Sequence, residues 1–234
     1  MSECLLIDDL EIEVRRSDKR QNVDLVVDRH GQIVISVPAQ LSDEEISKVC
    51  NQKKIWLYQT LEKKNESIHL AEPKKYVTGE GFFYLGRKYR LKLIYNEPNK
   101  SEPLKFRDGR FLLNNGKAKQ GHELFVKWYS KRGQQWLEKK VLQLSTRVAK
   151  KPDSIQVRDL GYRWGSCTKQ NQLLFHWRTI LLPPERIEYL ILHELVHLIE
   201  HSHNQRFYDR LAWACPEYKQ HENWLRLHGD KYIL

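Results

Sequence analysis

The sequence predicts an α+β protein, with a β-rich N-terminal part followed by a unit in which one motif-bearing helix packs on a small sheet. Three observations carry that expectation. Short alternating or β-branched runs, each bounded by turn residues, dominate the chain up to about Leu113. From about Ala118 the apolar period lengthens to that of a helix. Late in the chain a helix opened by Pro183-Pro184 follows directly on a strand expected at Gln172–Arg178.

The elements follow in order. Leu10–Arg16 alternates, Val23–Asp28 is β-branched, and Arg29-His30-Gly31-Gln32 reads as a turn into Gln32–Val37. Pro38 stops that strand, and Ser42-Asp43-Glu44-Glu45 has the form of a capping box. The helix it opens aligns Ile46, Val49, Trp56, Leu57 and Leu61. Short strands are expected at Phe82-Phe83-Tyr84 and Tyr89–Ile94, then a hairpin of Leu104–Phe106 and Phe111–Leu113 through Asp108-Gly109. Leu124, Phe125, Trp128, Trp136, Val141 and Leu144 line a long helix with Gly133 as its weak point. Ile155–Arg158 is a strand, 161–169 a turn-rich loop, and Asn204–Ala214 a last helix before Pro216. The expected division is 1–117, a basic β-rich region with one helix, and 118–234, a second domain that carries the motif-bearing helix.

Composition narrows the class. A hydrophobic share of 40% is too high for a disordered tail, and no run of about 18 apolar residues offers a membrane span. The acidic start MSECLLIDD does not read as a secretory signal. Cys4, Cys50, Cys167 and Cys215 form no CxxC pair, which argues against a disulfide framework and fits a cytoplasmic location. The net charge of +10 is uneven: residues 1–150 hold 29 Lys+Arg and 20 Asp+Glu, while the rest is nearly neutral. That excess allows a weak nucleic-acid contact through the N-terminal region, although no zinc-finger, helix-turn-helix or RNP pattern accompanies it.

The histidines carry the chemistry. Four fall within one short stretch, His193-Glu194-Leu195-Val196-His197 followed by His201 and His203. On a helix, i and i+4 share a face, so His193 and His197 can bring two imidazoles to one metal ion. Glu194 is one step around, where a carboxylate can take a proton from water at the metal. His122-Glu123 begins a similar pattern, but Val126 occupies the second ligand position. The third ligand is less direct. On an unbroken helix His201 would lie about 12 Å along the axis from His193, whereas ligands of one zinc sit within about 4 Å of each other. His203 works if the helix ends near His201-Ser202 and the chain turns back; Glu217 or Glu222 is the alternative. Metzincins share the wider spacing but have Gly where this chain has Glu200 and need a methionine turn, and the only methionine is Met1.

The stretch Arg163-Trp164-Gly165-Ser166-Cys167, then Phe175-His176-Trp177-Arg178, Pro183-Pro184, and the His193–His197 motif with His203 and Phe207 closely resembles the YgjP-like family. These are predicted metal-dependent hydrolases, relatives of zincin metallopeptidases and of SprT-like proteins. Arg15-Arg16, Val34–Pro38, Trp56 and Tyr84-Leu85-Gly86 fit the family less specifically. The resemblance implies a zincin-like catalytic unit, with His193, His197 and His203 holding one Zn²⁺ ion and Glu194 as the catalytic carboxylate. The family has Asn before the Trp-Arg pair, where this chain has His176. Zincin-like enzymes lay extended substrate along an edge strand, a place expected here for Gln172–Arg178, with Tyr162, Arg163, His176 and Arg178 as substrate contacts. Trp164 and Cys167 read as packing residues. The expected activity is zinc-dependent hydrolysis of an amide bond in a peptide or protein. The alternatives are nucleotide phosphoanhydride hydrolysis and a non-catalytic, DNA-associated metal protein.

Overall fold

A computed structural model describes residues 3–28, 31–69, 73–95, 102–161 and 163–234, without the side chains of 63–69. Its elements form two units, Met1–Glu72 and Pro73–Leu234.

The first unit is built on strands β1 (Glu3–Ile7), β2 (Leu10–Ser17), β3 (Asp24–Val27) and β4 (Ile33–Pro38), in the order β1-β2-β4-β3. β2 and β4 run parallel and pair Ile12 with Ile33 and Val14 with Ile35. The period-two pattern of β2 puts Leu10, Ile12 and Val14 inside. The expected turn before β4 includes Arg29 and His30, which lie outside the described residues; Gly31 takes φ +82° there. Helix α1 (Asp43–Gln52) starts as expected: Ser42 accepts from the Glu45 amide, and Glu45 accepts from the Ser42 amide. The single helix expected here is two. Lys53 caps α1, and in α2 (Lys54–His69) Leu57 is fully buried while Trp56 is 44% exposed. Ile12, Ile35, Ile46 and Leu57, all at 0% exposure, make the centre of this core.

The second unit begins with a four-stranded sheet of β5 (Gly81–Tyr84), β6 (Arg87–Ile94), β7 (Leu104–Arg107) and β8 (Arg110–Asn114), ordered β5-β6-β8-β7. Its two hairpins turn through Leu85-Gly86 and Asp108-Gly109, four residues with positive φ as tight primed turns require. Gly86 is also held by a close approach, because a Cβ there would lie 2.8 Å from the Pro183 Cα. Phe82 and Phe111 pack against Phe125 of helix α3 (Gly121–Val148), with the Phe82 and Phe125 rings stacked 4.1 Å apart. These strands therefore share a core with the helical part, and the division falls at 72/73 rather than at the expected 117/118. Gly133 does not interrupt α3. It is buried within the continuous helix, and a Cβ there would meet Ile180 and Val157 at 3.7 Å, an ordinary van der Waals contact.

A second sheet has the order β10-β11-β9, from β9 (Ser154–Arg158), β10 (Gly165–Cys167) and β11 (Gln172–His176). β11 is central, parallel to β9 and antiparallel to β10, and its Leu173 and Phe175 are fully buried. The expected edge strand Gln172–Arg178 is thus shorter and lies inside the sheet, since both of its sides are paired. The chain leaves it in a 3-10 turn, Trp177–Leu181, which leads to helix α4 (Pro184–Val196) with Pro184 in its first turn. Helices α5 (Gln205–Ala214) and α6 (Tyr218–His228) complete the unit, α6 lying where only a tail was expected. Among the described residues no helix is long and apolar enough to cross a membrane.

Candidate metal centre and active site

Helix α4 buries Ile187, Leu190, Ile191 and Leu195, which fixes the rotation of the face carrying His193 and Glu194. It ends at Val196, five residues earlier than the chain-reversal argument expects, with His197 as its C-cap. Leu198, Ile199 and Glu200 then hydrogen-bond back to the carbonyls of Leu195 and Val196. The chain reverses, and Asn204 caps α5 by accepting from the Phe207 amide at 3.0 Å. Phe207, at 0% exposure, lies under all three imidazoles, with centroid distances of 5.0, 4.5 and 4.6 Å to His193, His197 and His203.

The result is a convergence of ring nitrogens. His203 Nε2 is 3.1 Å from His197 Nε2 and 3.1 Å from His193 Nε2. Burial lowers the His193 pKa to about 3, helped by the neighbouring imidazoles. Burial also holds His197 and His203 below the usual histidine range. These are neutral rings, the form that binds metal. His197 Nδ1 faces the Glu200 carbonyl at 3.0 Å, which places the proton there and leaves Nε2 its lone pair. A tetrahedral ion with bonds near 2.1 Å holds its ligand nitrogens about 3.4 Å apart, so the three donors fit a zinc-type cation. Of the described residues, these three form the group able to hold an ion. His201 is exposed and outside it, as are Glu217 and Glu222.

Glu194 is only 6% exposed. Burial pushes its pKa up to about 8, with the Arg163 charge opposing. It faces the edge strand β10 so closely that a Cβ on Gly165 would lie 2.7 Å from Oε1. Arg163 is exposed, and its Nη1 donates to Ser166 Oγ at 3.3 Å. Tyr162 lies outside the described residues.

His176 and Arg178 are held differently from what a substrate-contact reading expects. Both are buried, at 1% and 6% exposure. His176 Nδ1 accepts from the Arg178 amide at 3.0 Å and its Nε2 faces Asp159 Oδ1 at 3.2 Å, so it caps the 3-10 turn. An asparagine caps a helical turn by the same acceptance, which explains why His is tolerated here. The Arg178 Nε donates to the Tyr232 carbonyl at 3.0 Å, and its guanidinium lies over the Trp164 ring at 5.1 Å. Cys167 is half-buried with its pKa pushed up to about 11, chiefly by burial, so it is a thiol and not a ready nucleophile. Phe207 had signalled its place through the resemblance alone. The Glu200 carbonyl left no trace in the sequence, because a backbone acceptor has no residue-type signature.

The family description "YgjP-like, metallopeptidase domain" matches residues 21–228. The chain belongs to the YgjP-like family. Sequence comparison with curated proteins gives no significant match. Among solved structures, the metallopeptidase zymogen of Pyrococcus abyssi abylysin is similar over 40% of this chain and 92% of that one, at 19% identity and a TM-score of 0.36. That likeness is too slight to carry any argument.

In this YgjP-like chain the closeness of Gly165 to Glu194 has a measurable consequence. Gly165→Ala must displace the carboxylate, because a Cβ would also sit 2.9 Å from Glu194 Cγ and 3.0 Å from its Cδ. On the reading of Glu194 as a catalytic carboxylate, proposed below, a displacement of about 1 Å would cost on the order of 10²-fold in rate. The expected result is a kcat lower by that factor with metal content unchanged. Unimpaired turnover would show that Glu194 does not have to stay where it is.

Proposed function

We propose that the protein is a zinc-dependent hydrolase of the metallopeptidase type, acting on amide bonds of peptides or proteins. The observation that carries this reading is the meeting of three neutral imidazoles at 3.1 Å with a buried carboxylate on the adjacent helical position. His193, His197 and His203 would hold one Zn²⁺, an arrangement of three protein ligands that leaves a position for water or substrate. When bound, the ion supplies Lewis acidity, lowering the pKa of water toward about 7 and polarising a carbonyl oxygen.

The chain supplies the rest. Glu194 takes the proton of the attacking water and returns it to the nitrogen of the departing amine. Its burial excludes solvent from that transfer, and a bound cation favours the carboxylate form that burial alone opposes. β10 pairs with β11 on one side only, so among the described strands its other side is open to an extended peptide added as a further strand. Gly165 on β10 keeps that strand close to Glu194. The Arg163 charge is felt at Glu194, and there it can steady negative charge building on the substrate oxygen.

The test is a substrate panel with the zinc-loaded protein and the same protein stripped by chelator. Peptide or protein cleavage that disappears with the metal and returns with Zn²⁺ is the expected result. Hydrolysis of nucleoside triphosphates without peptide cleavage would replace the substrate class. Metal binding with no turnover on either would overturn the enzymatic reading.

A further inference from the structure

Five residues, Leu198–Ser202, separate the ligand at the end of α4 from the ligand that returns to meet it. The peptide that starts this turn is pinned from two sides. The Leu198 side chain is 1% exposed within the core, and its carbonyl accepts a hydrogen bond from Lys150 Nζ. Lys150 comes from a distant part of the chain. α3 ends at Val148, and the left-handed φ of 55° at its cap, Ala149, redirects the backbone so that the next residue reaches the turn after α4. Leu198 lies one residue beyond the His197 cap of α4, where its carbonyl has no intrahelical partner and an ammonium satisfies it. Farther along, the Glu200 carbonyl faces His197 Nδ1, and the Glu200 carboxylate pairs with Arg210 Nε at 3.6 Å.

We propose that Lys150 is a positioning residue for the third metal ligand: by holding the Leu198 carbonyl, its ammonium fixes the turn that returns His203 to His193 and His197. The inference rests on the metal reading above. His193 and His197 are set by the helix itself, one within it and one at its cap. His203 lies outside α4, one residue before the Asn204 cap of α5, so its place depends on the path of the turn as well as on its packing against Phe207. A metal site tolerates displacements of about 0.2 Å in its ligand distances. Loosening the turn therefore acts on metal affinity first and on overall stability little, because the freed Leu198 carbonyl belongs to a part-buried bond that water can replace.

The sign of the effect separates this role from simple electrostatics. By Coulomb's law alone, removing a cation near the site tightens the binding of a divalent metal. The positioning role predicts the opposite. Metal-free full-length protein is titrated with Zn²⁺ against a competing chelator, and its Co²⁺ complex is followed by its visible absorption bands. Lys150→Met, which keeps the apolar stem, is expected to weaken Zn²⁺ binding about tenfold or more, within the range for groups that orient ligands. Its Co²⁺ bands should also lose intensity. Lys150→Arg, which keeps charge and donors, is expected to recover most of the affinity. Arg206→Met, which removes an exposed charge from α5, should cause no weakening. The melting temperature of the metal-free protein should stay close to wild type in all three variants. Wild-type affinity or tighter binding in Lys150→Met overturns the inference, as does a melting temperature that falls in step with affinity. Failure of the wild-type protein itself to bind Zn²⁺ would instead overturn the metal reading beneath it.

Discussion

Replacing Glu194 with glutamine lowers turnover by about 10³–10⁴-fold while zinc stays bound. That magnitude is the upper part of the range for a general acid–base group, fitting one that serves twice, first accepting a proton and then giving it back. Glutamine has the same shape and keeps a hydrogen-bonding oxygen, but it cannot take up a proton at neutral pH. The metal should stay because the group able to hold an ion among the described residues is His193, His197 and His203 and does not include position 194. Stability should not fall, because burial already disfavours the charge on Glu194, and an uncharged amide fits a site only 6% exposed. The assay is kcat on the best substrate of the panel, with metal content and thermal unfolding measured on the same preparation. A Glu194→Gln protein that hydrolyses at the wild-type rate, with its zinc in place, rules out the proton-transfer role.

How much of this was legible in the sequence depends on how local the physics is. The His193–His197 pair was legible because helical spacing alone puts i and i+4 on one face, and α4 was announced by Pro184 and its apolar stripe. Likewise the capping box at Ser42 and the turn at Asp108-Gly109 depend on residues within one turn of each other. The end of α4 was not legible to the residue. No glycine or proline stops the helix at Val196; where the chain leaves it, Leu198 is buried and its carbonyl accepts from Lys150 Nζ, contacts that no local pattern announces. Sheet order was equally hidden. A run such as Gln172–His176 looks alike at an edge or in the centre, and only the parallel pairing with Ser154–Arg158 decides. The unit boundary failed for a related reason: Phe82 and Phe111 alternate as any strand residues do, and nothing nearby in sequence says that their partner is Phe125. Trp56 kept the right spacing for a continuous helix, but beyond the break at Lys53 it is 44% exposed.

Replacing His203 with alanine weakens zinc binding by about 10²–10³-fold, whereas His201→Ala changes it little. Structural zinc-finger sites bind with about 10–16 kcal/mol shared among four ligands, so on that scale one protein ligand is worth about 2.5–4 kcal/mol, and each 1.4 kcal/mol is tenfold in affinity. The two histidines stand only two positions apart and carry the same chemistry, so the comparison isolates geometry. Both are exposed, but His203 Nε2 lies 3.1 Å from both of its partners, while His201 belongs to no ion-holding group among the described residues. The wider consequence concerns the end of α4. Continued as a helix, it would move position 203 away from the site; ending at Val196, it lets the chain double back so that Phe207 can support all three rings. Competition with a chelator at fixed pH measures the affinities directly, and Glu222→Gln serves as a further control for the carboxylate that the spacing argument left open. Equal losses at 201 and 203 would mean that general charge or folding governs affinity. An unaffected His203→Ala, with binding lost in Glu222→Gln, would move the third ligand to α6.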